Sequence, residues 1–283
     1  MAAFPGLVFT FNSVNEPKKY SSGIRTFTLT FGDQAENHVG MQKIGSLSKE
    51  GFTCEDLLEI SNMLTEQGRR CELIDLNEYL PEDIQGESAS VLIIRNGLQG
   101  LLTNRGLRGE EDANSLFEEM AAQEIDTKAK MYGRVVNKHA RYNLCFDFEA
   151  QEPNYEEGKG RIVAYSAVPL LNKLRLQLPQ LFGSKADGLV IELNDYYDVN
   201  KCGIGFHGDT ERRKVIGVRL GATIPLHYQW FSRRKAIGER VILQLHHGDI
   251  YIMSQKAVGF DWKRSSQVTV RHAAGCAKFV NIK

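Results

Sequence analysis

The sequence predicts an α+β chain in which a smaller α/β unit, residues 1–125, precedes a β-rich core of sandwich or barrel type, residues 126–283. Three observations carry this prediction. Between residues 24 and 96, strand-like runs flank one amphipathic helix, and past residue 130 short branched and aromatic runs recur between Gly, Asn and Asp turns. Charge also divides along the chain. Residues 201–283 hold fifteen Lys and Arg against five Asp and Glu, so in a chain of zero formal charge the first 200 residues carry the opposite imbalance.

IRTFTLTF (24–31), ELIDL (72–76) and SVLIIRN (90–96) alternate or run apolar as strands do. Between them TCEDLLEISNMLTEQG reads as a helix, because Thr53 stands three residues ahead of Asp56 as in a capping box, and Gly68 ends it. EEDANSLFEEMAAQEI (110–125) reads as an acidic surface helix marking the boundary. In the second half only VPLLNKLRLQLPQL (168–181) has helical spacing, and the remaining runs, from MYGRVVNKHARYNLCF to QVTVRHAAG, read as strands.

The five cysteines, odd in number and without a CxxC pair, point to reduced thiols and an intracellular chain, cytoplasmic or nuclear. No apolar run reaches the length of a membrane span. The basic C-terminal segment points to an anionic partner, since clustered cations attract phosphates.

CGIGFHGDTERRK (202–214) places His207 and Asp209 two apart at a strand end, so both side chains leave the same face. Two such ligands and a further His on one side of an iron make the facial triad of non-haem Fe(II) oxygenases. His247-Gly248-Asp249 repeats the pattern. In a jelly-roll core several strands separate the HxD strand from the third ligand, and only His207 leaves room for them before His272, so the second HGD is expected to form a turn. His227 is expected to pack, and His272 is the third candidate.

These residues resemble the AlkB-like Fe(II)/2-oxoglutarate dioxygenases. Asn194-Asp195-Tyr196, the turn NKCGIG and His207-Gly208-Asp209 are similar to that family's Asn-x-Tyr, Gly-containing turn and HxD. VRLGATIPLHYQWF and LHHGDIYIMS resemble the strands that follow, and the likeness covers roughly residues 130–283. It implies a double-stranded β-helix (jelly-roll) core, iron held by His207, Asp209 and His272, and 2-oxoglutarate held in part by Asn194 and Tyr196. It also implies oxidation of a substrate C–H bond by O2 as 2-oxoglutarate is decarboxylated to succinate.

The family's Arg after the last metal-binding His is missing, since only Lys278 and Lys283 follow His272. Arg219 interrupts an otherwise apolar strand, where a guanidinium needs a carboxylate, so Arg219 is the first candidate anchor for 2-oxoglutarate and Lys283 the second.

For the substrate, residues 131–146 interleave Tyr142 and other aromatics with Arg134, Lys138, His139 and Arg141, a mixture that suits bases and phosphates. Arg212, Arg213, Arg233 and Arg234 lie at expected strand ends and would gather at the core's mouth. A modified, methylated base in DNA or RNA is therefore the expected substrate. Hydroxylation of a small molecule or protein side chain, and a jelly-roll binding module without chemistry, are the alternatives. GDQAENHVGMQKIG (32–45) is expected to be a loop contacting the catalytic core.

Overall fold

The computed structural model describes residues 23–102 and 110–282. The chain runs β1 (Thr26–Gly32), β2 (Gln34–Glu36), β3 (Lys43–Gly45), α1 (Cys54–Glu66), β4 (Cys71–Asp75), β5 (Ser90–Ile94) and α2 (Glu110–Ala121). It continues with β6 (Lys128–Met131), β7 (Arg134–Asn137), β8 (Tyr142–Asp147), β9 (Ile162–Ala164), α3 (Pro169–Phe182), β10 (Val190–Tyr196), β11 (Gly203–His207) and β12 (Val215–Gly221). Last come β13 (Ile224–Ser232), β14 (Lys235–Leu245), β15 (Ile250–Met253), α4 (Gln255–Val258), β16 (Thr269–Gly275) and α5 (Ala277–Val280). The result is a mixed α and β chain, mostly sheet with few helices.

Two sheets dominate. One has eight strands in the order β4-β5-β15-β12-β1-β10-β8-β9, the other four in the order β11-β16-β13-β14. β1 sits between β10 and β12, pairing antiparallel with both. Its sequence TFTLTFG explains how one strand can do this. Phe27, Leu29 and Phe31 point to the helix side, where α1, α2 and α3 contribute Leu57, Leu116 and Leu174 to one apolar layer. Thr28 and Thr30 point the other way, into a cavity between the sheets. A second apolar layer, including Val91, Tyr251, Tyr228 and Trp230, fills the rest of the space between the sheets.

Strands from both sides of the expected boundary near residue 125 thus hydrogen-bond within one sheet. Sequence texture changes there because the helix-flanked strands β4 and β5 give way to hairpins, although β5 pairs with β15 and β1 with β10 and β12. Local elements follow the expected pattern: Thr53 caps α1 with the reciprocal Asp56 bond of a capping box, and α3 starts on Pro169. The run 131–146 is broken, since Tyr132 (φ 51°) and Gly133 (φ 78°) turn β6 back into β7. Among the described residues no helix is long and apolar enough to cross a membrane.

Removing β1 would leave β10 and β12 with two open edges in mid-sheet, each with unpaired backbone groups. A fragment comprising residues 126–283 is expected to lack a cooperative unfolding transition by circular dichroism. Cooperative unfolding of that fragment would restore the boundary at 125.

Candidate metal centre and cavity

β11 and β16 are neighbours in the small sheet, and His207 and His272 face each other across them. Asp209 follows two residues later, and its N–H donates to Val258 O (3.0 Å), which fixes the bend after β11. Gly208 is needed there, because a Cβ at that position would stand 2.1 Å from Gly259 O. Asp209 Oδ1 lies 3.4 Å from His207 Nε2 and 3.5 Å from His272 Nε2, and one ligand atom from each residue falls within a 4.8 Å group. Two ligands held at about 2.0–2.2 Å from a common ion are separated by roughly 3.0–3.5 Å, so Asp209 Oδ1 has the spacing to share an ion with either imidazole. His207 Nδ1 is 2.8 Å from Gly205 O, so that nitrogen can donate there and leave Nε2 to face Asp209.

The electrostatics match this reading. Burial alone would raise the Asp209 carboxyl, but contacts with both imidazoles and the charge of Arg212 hold it well below the usual range. Burial, and then the neighbouring His207, lower His272, which keeps its imidazole neutral and available as a ligand.

The three residues line a cavity of about 330 Å³ between the sheets. Its floor is a polar row that crosses four strands in register: Arg219 is opposite Thr28, Thr28 opposite Asn194, and Asn194 opposite Asn143. Asn194 Oδ1 accepts from Arg141 Nε (2.6 Å) and Asn143 Nδ2 (2.9 Å), and its amide donates to Glu192 (3.1 Å). Tyr196 lines the same cavity. Arg219 is 1% exposed and points inward. Nη1 donates to Thr28 Oγ1 (2.8 Å), Nε has no partner, and no carboxylate pairs with the group among the described residues. Gly217 clears the way for Tyr251, since a Cβ there would meet its ring at 2.0 Å.

The residues expected to meet substrate are scattered. Arg212 is 4% exposed and is neutralised by Glu192 (2.5 Å) and Glu211 (3.0 Å), so it cannot serve a phosphate. Lys138 is also buried, bonding Asn37 Oδ1 (2.6 Å), and burial lowers its ammonium to about 8. It ties the β2–β3 hairpin to the second half instead of facing a ligand. Arg134 and His139 are exposed and do not line the cavity, and the His139 carbonyl accepts from Tyr197 (2.8 Å). Tyr142 stacks on Tyr197 at 4.6 Å. Arg213 packs over Phe260 (4.4 Å), and Arg233 and Arg234 form the exposed β13–β14 turn with φ of 49° and 67°. Of the nine, only Arg141 and Arg212 line the cavity. Lys283 lies outside the described residues.

The second HGD forms a turn ahead of β15, where Asp249 accepts from Asn96 N (2.9 Å), His246 N (2.9 Å) and Arg95 Nη1 (2.7 Å). His227 is buried on β13, with nothing bonded to Nδ1.

No family model matches the sequence. Over 258 residues the chain is 50% identical to an uncharacterised protein of Acanthamoeba polyphaga mimivirus, an alignment covering 90% of this chain and 97% of the viral one. The chain belongs to the family of that viral protein. The match spans nearly all of both chains, so the N-terminal residues and the HxD region fall in one family unit.

Residues 32–45, expected as a contact loop, form the β2–β3 hairpin, and Glu36, Asn37, His38 and Val39 line the cavity. Sequence reasoning missed Glu36 as a site residue. Its one signal was a carboxylate in a loop that packing did not explain. Burial, then the charge of Glu211, raises Glu36 from 4.5 to about 7. A carboxyl with a raised folded-state pKa stabilises the fold fully below its ordinary value, and this contribution is lost as pH rises through about 7. Glu36→Gln is therefore expected to stabilise the metal-free protein by about 1–3 kcal/mol near pH 8 and to change little below about pH 4.5. Urea unfolding at the two pH values measures this, and an equal effect at both would refute the assignment.

Proposed function

We propose that the chain is an Fe(II)/2-oxoglutarate-dependent dioxygenase with an AlkB-like jelly-roll core. One observation carries the reading: a His-Asp-His cluster and an inward guanidinium without a carboxylate share one cavity. Strand order supports it. From β10 onward, β10, β12 and β15 join the large sheet while β11, β13, β14 and β16 form the small one, an alternation consistent with seven strands of an eight-stranded double Greek key. After β16 the chain enters α5, and β1 occupies the slot between β12 and β10 where an eighth strand would close the core. This accounts for the missing Arg after His272: the strand expected to bear it is replaced by β1, whose Thr28 stands beside Arg219.

The residues fit the group they would hold. His207, Asp209 and His272 would bind iron, and Arg219 with Thr28 would take the distal carboxylate of 2-oxoglutarate by charge-assisted bonds. Tyr196 and Asn194 would flank it. When bound, iron, 2-oxoglutarate and O2 supply the oxidising power for a C–H bond. The protein's part is to orient the substrate, keep His272 neutral, and exclude water with the dry layer around Tyr228 and Tyr251. The free cysteines agree with an intracellular site of action.

For the substrate, the acidic cavity end at Glu36 and Glu211 favours hydroxylation of a small molecule or protein side chain. A modified base in nucleic acid is the second reading. It is favoured by Trp262 and Lys263 at the cavity, with Arg271 5.2 Å from the Trp262 ring and Arg213 over Phe260. Oligonucleotide binding that weakens as salt rises, and whose salt slope flattens in Lys263→Ala, would select the second reading.

The enzyme itself is tested by succinate formation from 2-oxoglutarate with Fe(II). Turnover is expected to vanish in His207→Ala and His272→Ala. Arg219→Ala should raise the 2-oxoglutarate dissociation constant by about thirtyfold to several hundredfold, or ~2–4 kcal/mol, and Thr28→Val by about fivefold, or ~1 kcal/mol. An unchanged constant in Arg219→Ala would remove the anchor, and wild-type protein that neither binds iron nor forms succinate would remove the oxygenase.

A further inference from the structure

Three glutamates, Glu36, Glu192 and Glu211, line the cavity. Glu192 takes the short bond from Arg212, and Glu211 shares the same guanidinium. Arg141 spends its Nε on Asn194 rather than on a carboxylate. Glu36 is left over. It is 8% exposed and lines the cavity, and among the described residues no hydrogen bond or ion pair reaches its carboxylate. Lys43 is its backbone partner across the β2–β3 hairpin, yet that side chain is exposed and forms no ion pair with it.

The Glu36 side chain is mostly buried while its carboxyl opens to the cavity without a partner, so a cationic ligand there would supply the opposite charge that the protein does not. Glu36 is not a loose surface side chain that could turn to solvent. The hairpin carrying it is clamped: Asn37 donates to Asp126 (2.6 Å) and accepts from Lys138 (2.6 Å), while Asp33 accepts from the N–H groups of Arg213 (2.9 Å) and Lys214 (3.0 Å). The second set of bonds ties the hairpin to the segment that carries Glu211, so the two carboxylates are fixed on one wall.

We propose that Glu36 and Glu211 form a cation subsite beside the His207, Asp209 and His272 cluster, receiving a guanidinium or ammonium group of the substrate. The subsite deepens the oxygenase reading by naming what the substrate carries. It stands on the carboxylate geometry, so it can be tested without metal. The cation would pair with Glu36 and Glu211 and direct the attached carbon chain toward the cluster.

The probe is methylguanidinium, with N-methylurea as its neutral isostere, each observed by saturation-transfer NMR on the metal-free protein. The expected result is a methyl signal at least tenfold stronger for methylguanidinium, reduced at least tenfold in Glu36→Gln and retained in Glu55→Gln, a helix-surface control. Because Glu36→Gln removes only a buried charge, it is expected to fold, and its urea transition verifies this. Equal signals for the two probes, or an undiminished signal in Glu36→Gln, would overturn the subsite. L-arginine compared with a peptide bearing one internal arginine then separates a free small molecule from a protein side chain as the source of the cation. Succinate formation and iron binding are read separately, so a failure of the oxygenase reading leaves this result standing, and the reverse.

Discussion

The architecture depends on β1 serving two incompatible environments at once. A strand in the middle of a covered sheet is buried on both faces, and such strands ordinarily read as continuous apolar runs. β1 instead alternates threonine with Phe27, Leu29 and Phe31, and every one of its residues is buried. The aromatic face secures the three long helices, while the hydroxyl face gives the cavity a floor that is polar without being charged. A charged residue in place of Thr28 would compete with Arg219 for whatever binds there. An apolar one would leave the guanidinium without its one side-chain bond.

From that floor the polarity of the cavity follows in sequence across the sheet. Arg219, Thr28, Asn194 and Asn143 lie in one register row, so a positive end passes through neutral hydroxyl and amide groups before reaching Glu192. The small sheet supplies the other wall, with His207 and His272 on adjacent strands and Asp209 just beyond. The cavity therefore has an unpaired guanidinium at one end and glutamates, two of them paired with Arg212, at the other, with a candidate metal centre on the facing sheet.

Much of this was legible in the sequence where the rule is local. HxD spacing paired His207 with Asp209, although the strand ends at His207 and the bend after it, not alternation, places Asp209; the capping box at Thr53 fixed the start of α1, and the interruption of an apolar strand marked Arg219 as inward and in need of a partner. Long-range pairing was not legible. Nothing in TFTLTFG states that it will lie between β10 and β12, about 160 and 190 residues further along, because strand alternation gives the face but not the neighbour. The pairing of strands across the expected boundary at residue 125 was not legible for that reason.

Arginine runs illustrate the same limit in electrostatics. ERRK and SRRK are nearly identical strings, yet Arg212 ends buried among three carboxylates, Arg213 stacks on Phe260, and Arg233 and Arg234 turn a hairpin in solvent. Composition fixes how many charges a segment carries, and tertiary structure decides which of them remain available. Of the basic residues in the last third, Arg212, Arg219 and Lys263 line the cavity, and Arg212 is already consumed by Glu192 and Glu211. Glu36, on a hairpin of the acidic first half, lines the same cavity, and no hydrogen bond or ion pair reaches its carboxyl among the described residues. A partner inferred from net charge along the chain and one inferred from Glu36 and Glu211 have opposite signs, because charge counted along a sequence does not say which groups remain unpaired at a cavity.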